Sequence, residues 1–196
     1  VNGNYNLAGG YANVIAGSYN GILNGSTNTI TSDFSIIGGG STNTIQNYSN
    51  YGFIGGGKQN SIDFCTNGVI VGGNLNNIIG YNASYIINGS FIGGGVSNFI
   101  YSNNNSVIAG GKANVIVTRV ALNTYSYNFI GCGSGNTVHK SCGLIGNGSG
   151  NDVYATYGAI INGVRNRITA EDDGLYNLIG NGRDNLIHNS SHSTIL

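Results

Sequence analysis

Few side chains in this sequence are spaced for catalysis or metal binding. The densest acidic group is Glu171-Asp172-Asp173, whose carboxylates could supply oxygen ligands to Ca²⁺, although a solvated loop is the commoner use of such a run. A glycosidase needs two carboxylates at a fixed separation. Three other candidates lie on separate segments of the chain: Asp33, Asp63 and Asp152. The acids therefore predict no catalytic pair, and they leave residues 171–173 as a less favoured metal candidate.

The histidines and cysteines also lack the spacing of a metal or redox centre. The histidines have no cysteine or acid at ligand spacing, and no helix is predicted to carry the pair four residues apart. They are His139, His188 and His192. The three cysteines are an odd number without a CxxC motif, which predicts free thiols. They are Cys65, Cys132 and Cys142. We expect no cofactor and no enzymatic activity.

A short sequence motif recurs eleven times, and the fold of this repeat must position any functional surface of the protein. It reads IGGGSTNTI at residues 37–45, IGGGKQNSI at 54–62 and IGGGVSNFI at 92–100. Apolar, Gly and Asn columns with a period of about fifteen residues are typical of a stacked solenoid. Alternation of apolar and polar residues over short segments indicates β-strands. The sequence therefore predicts an all-β fold, a parallel β-solenoid of about eleven repeats spanning residues 1–196 as one unit.

Three columns define each repeat. With the first apolar residue as position zero, from Leu7 and Ile22 to Ile179, position three is always Gly and position eight is Ile or Val. Gly or Asn at position two predicts two successive residues with positive φ. Position six is always Asn, predicted to form a structural ladder, with an exposed ligand-binding array as the alternative. These residues are Asn13, Asn28, Asn43, Asn60, Asn76, Asn98, Asn114, Asn136, Asn151, Asn166 and Asn185.

Position minus one predicts self-association. It is apolar in eight repeats and neighbours position zero, so the first strand is apolar on both faces. Its members are Ile36, Phe53, Val69, Phe91, Val107, Phe129, Leu144 and Leu178. One coil can bury only one of these faces, and two buried aliphatic residues offset little of the backbone entropy lost by a coil. We therefore expect obligate self-association that buries the second column between copies of the chain; that the assembly is a homotrimer is what the family resemblance described below implies.

Three insertions interrupt the period near residues 79–89, 117–127 and 169–176. Solenoid insertions project from one edge and often carry binding. Tyrosine offers an apolar ring and a hydroxyl, which suits polyhydroxyl ligands, although packing over the coil ends is the commoner use. The candidate ligand-binding residues are Tyr81, Tyr85, Tyr125, Tyr127 and Tyr176.

Composition narrows the list of partners. Charged residues make up 7% of the chain and the net charge is zero, so nucleic acid is a poor partner. The sequence has no apolar run long enough to predict membrane insertion of this segment. The chain begins without Met and ends within what reads as a twelfth repeat, so we expect a piece of a longer array.

Residues 106–116 read SVIAGGKANVI, which resembles a head repeat of the YadA-type trimeric autotransporter adhesins. The Gly-Gly-x-x-Asn arrays are also similar to segments of phage and large-virus fibre proteins. The resemblance implies a left-handed parallel β-roll, three chains about one axis, and attachment at a cell or virion surface outside the cell. The Asn column and the long insertions are not typical of that head.

These observations favour a non-catalytic, trimeric fibre segment that presents Tyr- and Asn-rich loops to a surface glycan or host receptor. A self-assembling extracellular filament without a receptor is the main alternative. An ice-binding solenoid would need a regular Thr array, which stops after residues 42–44. A polysaccharide-degrading solenoid would need the acid pairs that the sequence does not show.

Overall fold

Two parallel sheets run the length of the chain in the computed structural model, which describes residues 3–118, 127–170 and 175–196. Each coil contributes one short strand to each sheet. Sheet one comprises, in spatial order, Leu7–Ala8, Gly21–Ile22, Ile36–Ile37, Phe53–Ile54, Val69–Ile70, Phe91–Ile92, Val107–Ile108, Phe129–Ile130, Leu144–Ile145, Ala159–Ile160, Leu178–Ile179 and Thr194–Ile195.

Sheet two follows the same order along the axis. It comprises Val14–Ile15, Thr29–Ile30, Thr44–Gln46, Ser61–Asp63, Asn77–Ile79, Phe99–Tyr101, Val115–Val117, Thr137–Val138, Asp152–Tyr154, Arg167–Thr169 and Leu186–His188. A separate parallel pair joins Cys65–Thr66 to Ile87–Asn88. The described chain is thus an all-β parallel solenoid of about eleven coils, and the predicted fold class is confirmed.

Isoleucine columns form the core between the two sheets. Ile37 pairs with Ile54 in sheet one, and Ile45 pairs with Ile62 in sheet two, so identical positions stack in register. Position zero from Ile22 to Ile179 and position eight from Ile30 to Ile168 are fully buried, with 0% exposure. Because side chains alternate along a strand, position minus one then points outward. A single chain therefore encloses one continuous apolar core.

The turn between the sheets differs from the predicted one. Positive φ occurs at positions three and five, as in Gly57 (φ 93°) and Gln59 (φ 56°), and position two shares it only in the repeat that contains Gly94 (φ 151°) and Gly95 (φ 96°). Gln59 N–H donates to Ser41 of the preceding coil, whereas Lys58 N–H donates to Gly73 of the following coil. Because the residue at position five has the left-handed conformation, its N–H points toward the preceding coil, whereas the N–H of the residue at position four points toward the following coil. The expectation of two successive positive-φ residues holds in that one repeat and was wrong for the others.

Position three needs glycine for two reasons. Its φ is positive in every coil, and a Cβ on Gly57 would collide with the carbonyl oxygen of Gly73 in the next coil. Close stacking of successive turns therefore excludes any side chain at this column.

The first coil is one residue shorter between its strand and its turn. Ala8 pairs with the inward-facing Ile22, and Leu7 pairs with Gly21. Leu7 is 61% exposed and belongs to position minus one, so its assignment to position zero was wrong. Gly10 still stacks on the turn of Gly25. The first coil therefore has one residue fewer between position zero and its turn, and the alignment of the repeats did not reveal this deletion.

The first insertion folds back onto the solenoid. After Ile79 the chain makes an antiparallel bridge between Asn82 and Tyr85, and Ile87–Asn88 then pairs with Cys65–Thr66. Of the other two insertions, the structure describes residues 117–118 with 127, and 169–170 with 175–176. In the described parts of the chain, no helix is long and apolar enough to cross a membrane.

Candidate interaction surfaces

The Asn residues of position six stack inside the turn. Asn60 Nδ2 donates to Asn43 Oδ1 (3.1 Å), to Gly56 O (3.0 Å) and to Gly73 O (3.0 Å). Asn60 Oδ1 accepts the backbone N–H of Asn76 at 3.0 Å. The nine residues from Asn28 to Asn166 in this column are 0% exposed. Their amides are committed to neighbouring coils and to their own turns, so they are not an exposed array for a ligand.

A second polar column lies at the opposite turn, at position minus two, and sequence reasoning missed it. The Asn20 N–H donates to Asn6 Oδ1 at 2.9 Å, and Ser35 N–H donates to Asn20 Oδ1 at 2.8 Å. Farther along, Asn128 Oδ1 accepts from Gly143 N–H at 2.7 Å. This position is Asn, Ser or Gly in every repeat. The restriction of this position to three residue types could have indicated a second polar column, but Asn, Ser and Gly are also common in ordinary loops.

The outer face of sheet one is a continuous apolar surface, which we call the apolar face. It consists of positions minus one and plus one, and neither column contains a charged residue. Leu23, Val71 and Ile161, at position plus one, are 49–58% exposed. The Phe91 ring lies over Gly93, where an added Cβ would be 3.3 Å from Cε1. Large rings lying over glycines keep this face flat along the axis.

The outer face of sheet two changes chemistry along its length. Hydroxyl side chains predominate at position seven of its first coils, where Thr44 Oγ1 donates to Ser61 Oγ at 3.0 Å, and Asp63 lies at position nine of the same strand as Ser61. Aromatic and aliphatic residues follow, including the stacked Phe99 and Tyr101 rings, 5.9 Å apart. Charged residues occupy the last coils, including Asp152. The two sheets share one core but present different outer surfaces.

The candidate ligand-binding tyrosines do not form one site. Tyr81 and Tyr85 meet edge to face in the first insertion, with ring centroids 6.1 Å apart. Tyr176 belongs to a stack with Tyr157 at 5.0 Å, and Tyr127 is exposed at another coil. Tyr125 lies outside the described residues. Binding through these side chains would have to use separate patches.

Aromatic residues also stack along one edge of the solenoid, at position minus three. Tyr5, Tyr19, Phe34 and Tyr51 have positive φ, and their ring centroids are 4.9–5.2 Å apart. This spacing matches the distance between adjacent strands, about 4.8 Å. The ring faces therefore contact one another and leave mainly ring edges and hydroxyls at the surface.

The possible metal and catalytic residues are dispersed. The acidic candidates Glu171, Asp172 and Asp173 lie outside the described residues. No group of three or more His, Cys, Asp or Glu side chains within the described ranges could hold a metal ion. His139 Nε2 lies 3.1 Å from Asp152 Oδ1 across two coils, a contact that sequence spacing did not indicate.

The thiols are free, as the cysteine count predicted. Cys132 is exposed, Cys142 is half-buried, and Cys65 is buried beneath the first insertion. Burial raises the pKa of Cys65 from 9.0 to about 12. A thiol held in its protonated form is a poor nucleophile.

No protein-family model matches this chain, and no curated protein matches it. The function is therefore argued from the surfaces described above.

Proposed function

We propose that this chain is a non-catalytic, rigid segment of an extracellular or virion fibre that assembles as a trimer and presents its loops for attachment. The apolar face carries this proposal. Soluble proteins rarely leave a contiguous apolar surface of this kind uncovered. A second copy of the same chain is the simplest partner, since the face repeats in register with the coils.

The dimensions of the apolar face suit an interface. Twelve strands at about 4.8 Å spacing make it about 50 Å long, and a width of about 10 Å gives roughly 500 Å². A standard interface buries about 800 Å² per partner, with an apolar centre and a polar rim. The apolar face can supply the centre and the flanking turns the rim. Three copies about one axis agree with the resemblance noted above.

The contrast between the two sheets also supports assembly through sheet one. A surface that meets the same partner at every coil needs one chemistry throughout, and the apolar face has it. Sheet two changes from hydroxyl to apolar to charged side chains, which suits an outward surface. The attachment role rests on the exposed tyrosines of the insertions and on the resemblance to adhesin heads.

The assembly is tested with Phe91→Asp, which places a charge in the centre of the apolar face. Burial of that unpaired charge between chains should prevent association. The matched control is Phe99→Asp, in the same coil but on sheet two. We expect light scattering to give three times the 20.2 kDa chain mass for wild type and control, and a lower mass for Phe91→Asp. A folded wild-type monomer would contradict the proposal.

The receptor-free filament remains a second candidate because the aromatic stacks favour it. Tyr157 and Tyr176 use their ring faces on each other, which limits stacking on a sugar. Glycan-array binding by the wild type, weakened in a Tyr81→Ala/Tyr85→Ala variant of unchanged mass, is expected for the attachment role. If no glycan or cell surface is bound by an assembled wild type, the filament is favoured.

A further inference from the structure

A groove on the charged end of sheet two suggests the class of ligand. We propose that it binds a carboxylate-bearing sugar, a proposal that rests on the attachment role above and deepens it. We call it the Arg167 groove. Its volume is about 470 Å³, within the range of small-molecule pockets, about 300–1,000 Å³. It is lined by Tyr154, Arg167, Thr169, Ala170, Leu186 and His188.

The register of sheet two builds this groove from three successive coils. Arg167 pairs with Leu186 at position seven, and Thr169 lies between Tyr154 and His188 at position nine. Both positions point outward, so five lining residues form two rows that run along the axis, with neighbours in a row about 4.8 Å apart. Regular strands thus hold the lining side chains, which favours a site of defined shape.

Arg167 supplies the anion-binding group. Its Nε lies 3.3 Å from Asp152 Oδ2, and its side chain is 60% exposed. The terminal nitrogens of the guanidinium remain for a ligand, and a guanidinium binds a carboxylate through two parallel hydrogen bonds. The contact with Asp152 restrains the Arg side chain before a ligand arrives.

A lysine and an aspartate also lie beside the groove. Lys140 Nζ lies 5.2 Å from the centre of the Tyr154 ring and donates to Ala170 O at 2.9 Å. Asp152 is the acid in contact with Arg167.

The remaining lining groups suit a sugar better than a simple anion. Thr169 Oγ1 and His188 Nδ1 are 2.9 Å apart, which orients the imidazole and leaves its Nε2 for a ligand hydroxyl. Leu186 is 57% exposed, and the Tyr154 ring forms another wall. Apolar walls beside hydroxyl and imidazole groups match the C–H face and the hydroxyls of a pyranose.

The test compares two ligands that differ in one group. Methyl glucuronide carries a carboxylate where methyl glucoside carries a CH₂OH, and both are titrated into the assembled protein by calorimetry in EDTA. We expect the glucuronide to bind at least about tenfold more tightly, because the guanidinium gains a charged partner. Equal affinities, or no binding of the glucuronide, would overturn the proposal.

Matched variants assign the effect to the groove. Arg167→Gln should lower glucuronide affinity at least about tenfold by removing the two hydrogen bonds. Arg165→Gln is the control, since Arg165 is in the same coil but is paired with Asp184 at 2.6 Å outside the groove. Gln59 occupies the equivalent position with φ 56°, so glutamine is tolerated there. Equal losses in both variants would show a general charge effect and would reject the site.

Inorganic sulfate and chain mass complete the test. Sulfate should compete weakly, and Tyr154→Ala should weaken glucuronide binding while leaving sulfate binding unchanged. If sulfate binds as tightly as the glucuronide and Tyr154→Ala has no effect, the groove is a bare anion site. The mass of the wild type and of each variant is measured in parallel, so failure of an intact wild-type assembly to bind the glucuronide counts against the groove and not against the fibre role.

Discussion

The substitution Asn60→Leu tests whether the buried Asn column stabilises the solenoid. Leucine is of similar size but lacks the amide. Asn43 Oδ1 would keep the backbone N–H of residue 60, and Gly73 O would keep the N–H of Lys58. Two groups would lose the partners they have now, namely the buried N–H of Asn76 and the carbonyl of Gly56.

The expected cost follows from these two groups. A buried polar group without a partner costs about 1–3 kcal/mol, which gives about 2–6 kcal/mol for the pair. Gly56 is half-buried, so water can satisfy part of its loss, and leucine adds apolar burial. We therefore expect a loss of about 2–4 kcal/mol in the free energy of unfolding. For a chain of this length, that corresponds to a fall of about 4–16 °C in Tm.

Thermal unfolding followed by circular dichroism at fixed protein concentration measures this effect. Gln59→Leu is the matched control, because Gln59 is exposed and Leu75 already occupies the same column with φ 58°. Its Tm should change by no more than about 2 °C, as expected for a surface substitution. If the Tm of Asn60→Leu falls within 1 °C of this control, the column does not stabilise the fold.

Two further predictions concern ionisable groups whose pKa is raised by burial. Native protein at pH 8 should react with iodoacetamide at the exposed Cys132 and not at Cys65, because burial holds the pKa of Cys65 near 12. Mass spectrometry measures the rate of alkylation at each cysteine. Alkylation of Cys65 as fast as that of Cys132 would contradict this prediction. Burial also raises the pKa of Asp63 above 3.8, so the folded state binds the proton more tightly and loses stability as pH rises through that raised pKa. Asp63→Asn should therefore raise Tm at pH 7 and have little effect at pH 3, and an equal change at both pH values would contradict the stated cause.

The strand register could be predicted from the sequence because Ile, Gly and Asn recur at positions where few residue types fit. A glycine such as Gly57 is required by its φ and by the neighbouring turn, and Asn60 by its hydrogen bonds on both sides. Position five could not be predicted, since residues as different as Thr42 and Arg165 adopt the same positive φ. There the hydrogen bonds of the adjacent coils determine the backbone, and the side chain carries no signal.

The candidate surfaces were only partly predictable. The apolar column of sheet one was visible because alternation within a strand assigns its face. The Arg167 groove could not be predicted, because Tyr154, Arg167 and His188 lie in three different repeats and look like unrelated variable positions. Contact between His139 and Asp152 was missed for the same reason. In a solenoid, neighbours across coils are distant in sequence, and only an exact register reveals them.

The Asn column has a mechanical consequence for a fibre. Its hydrogen bonds and those of the backbone run from coil to coil, so a pull along the axis loads successive rungs in series. The rung between Asn60 and Asn76 has the backbone bond to Oδ1 but not the additional Nδ2 bond that joins Asn43 to Asn60. The same holds between Asn151 and Asn166 and between Asn166 and Asn185. Under tension, these rungs should open before those that have both bonds, and they should set the force at which the solenoid extends.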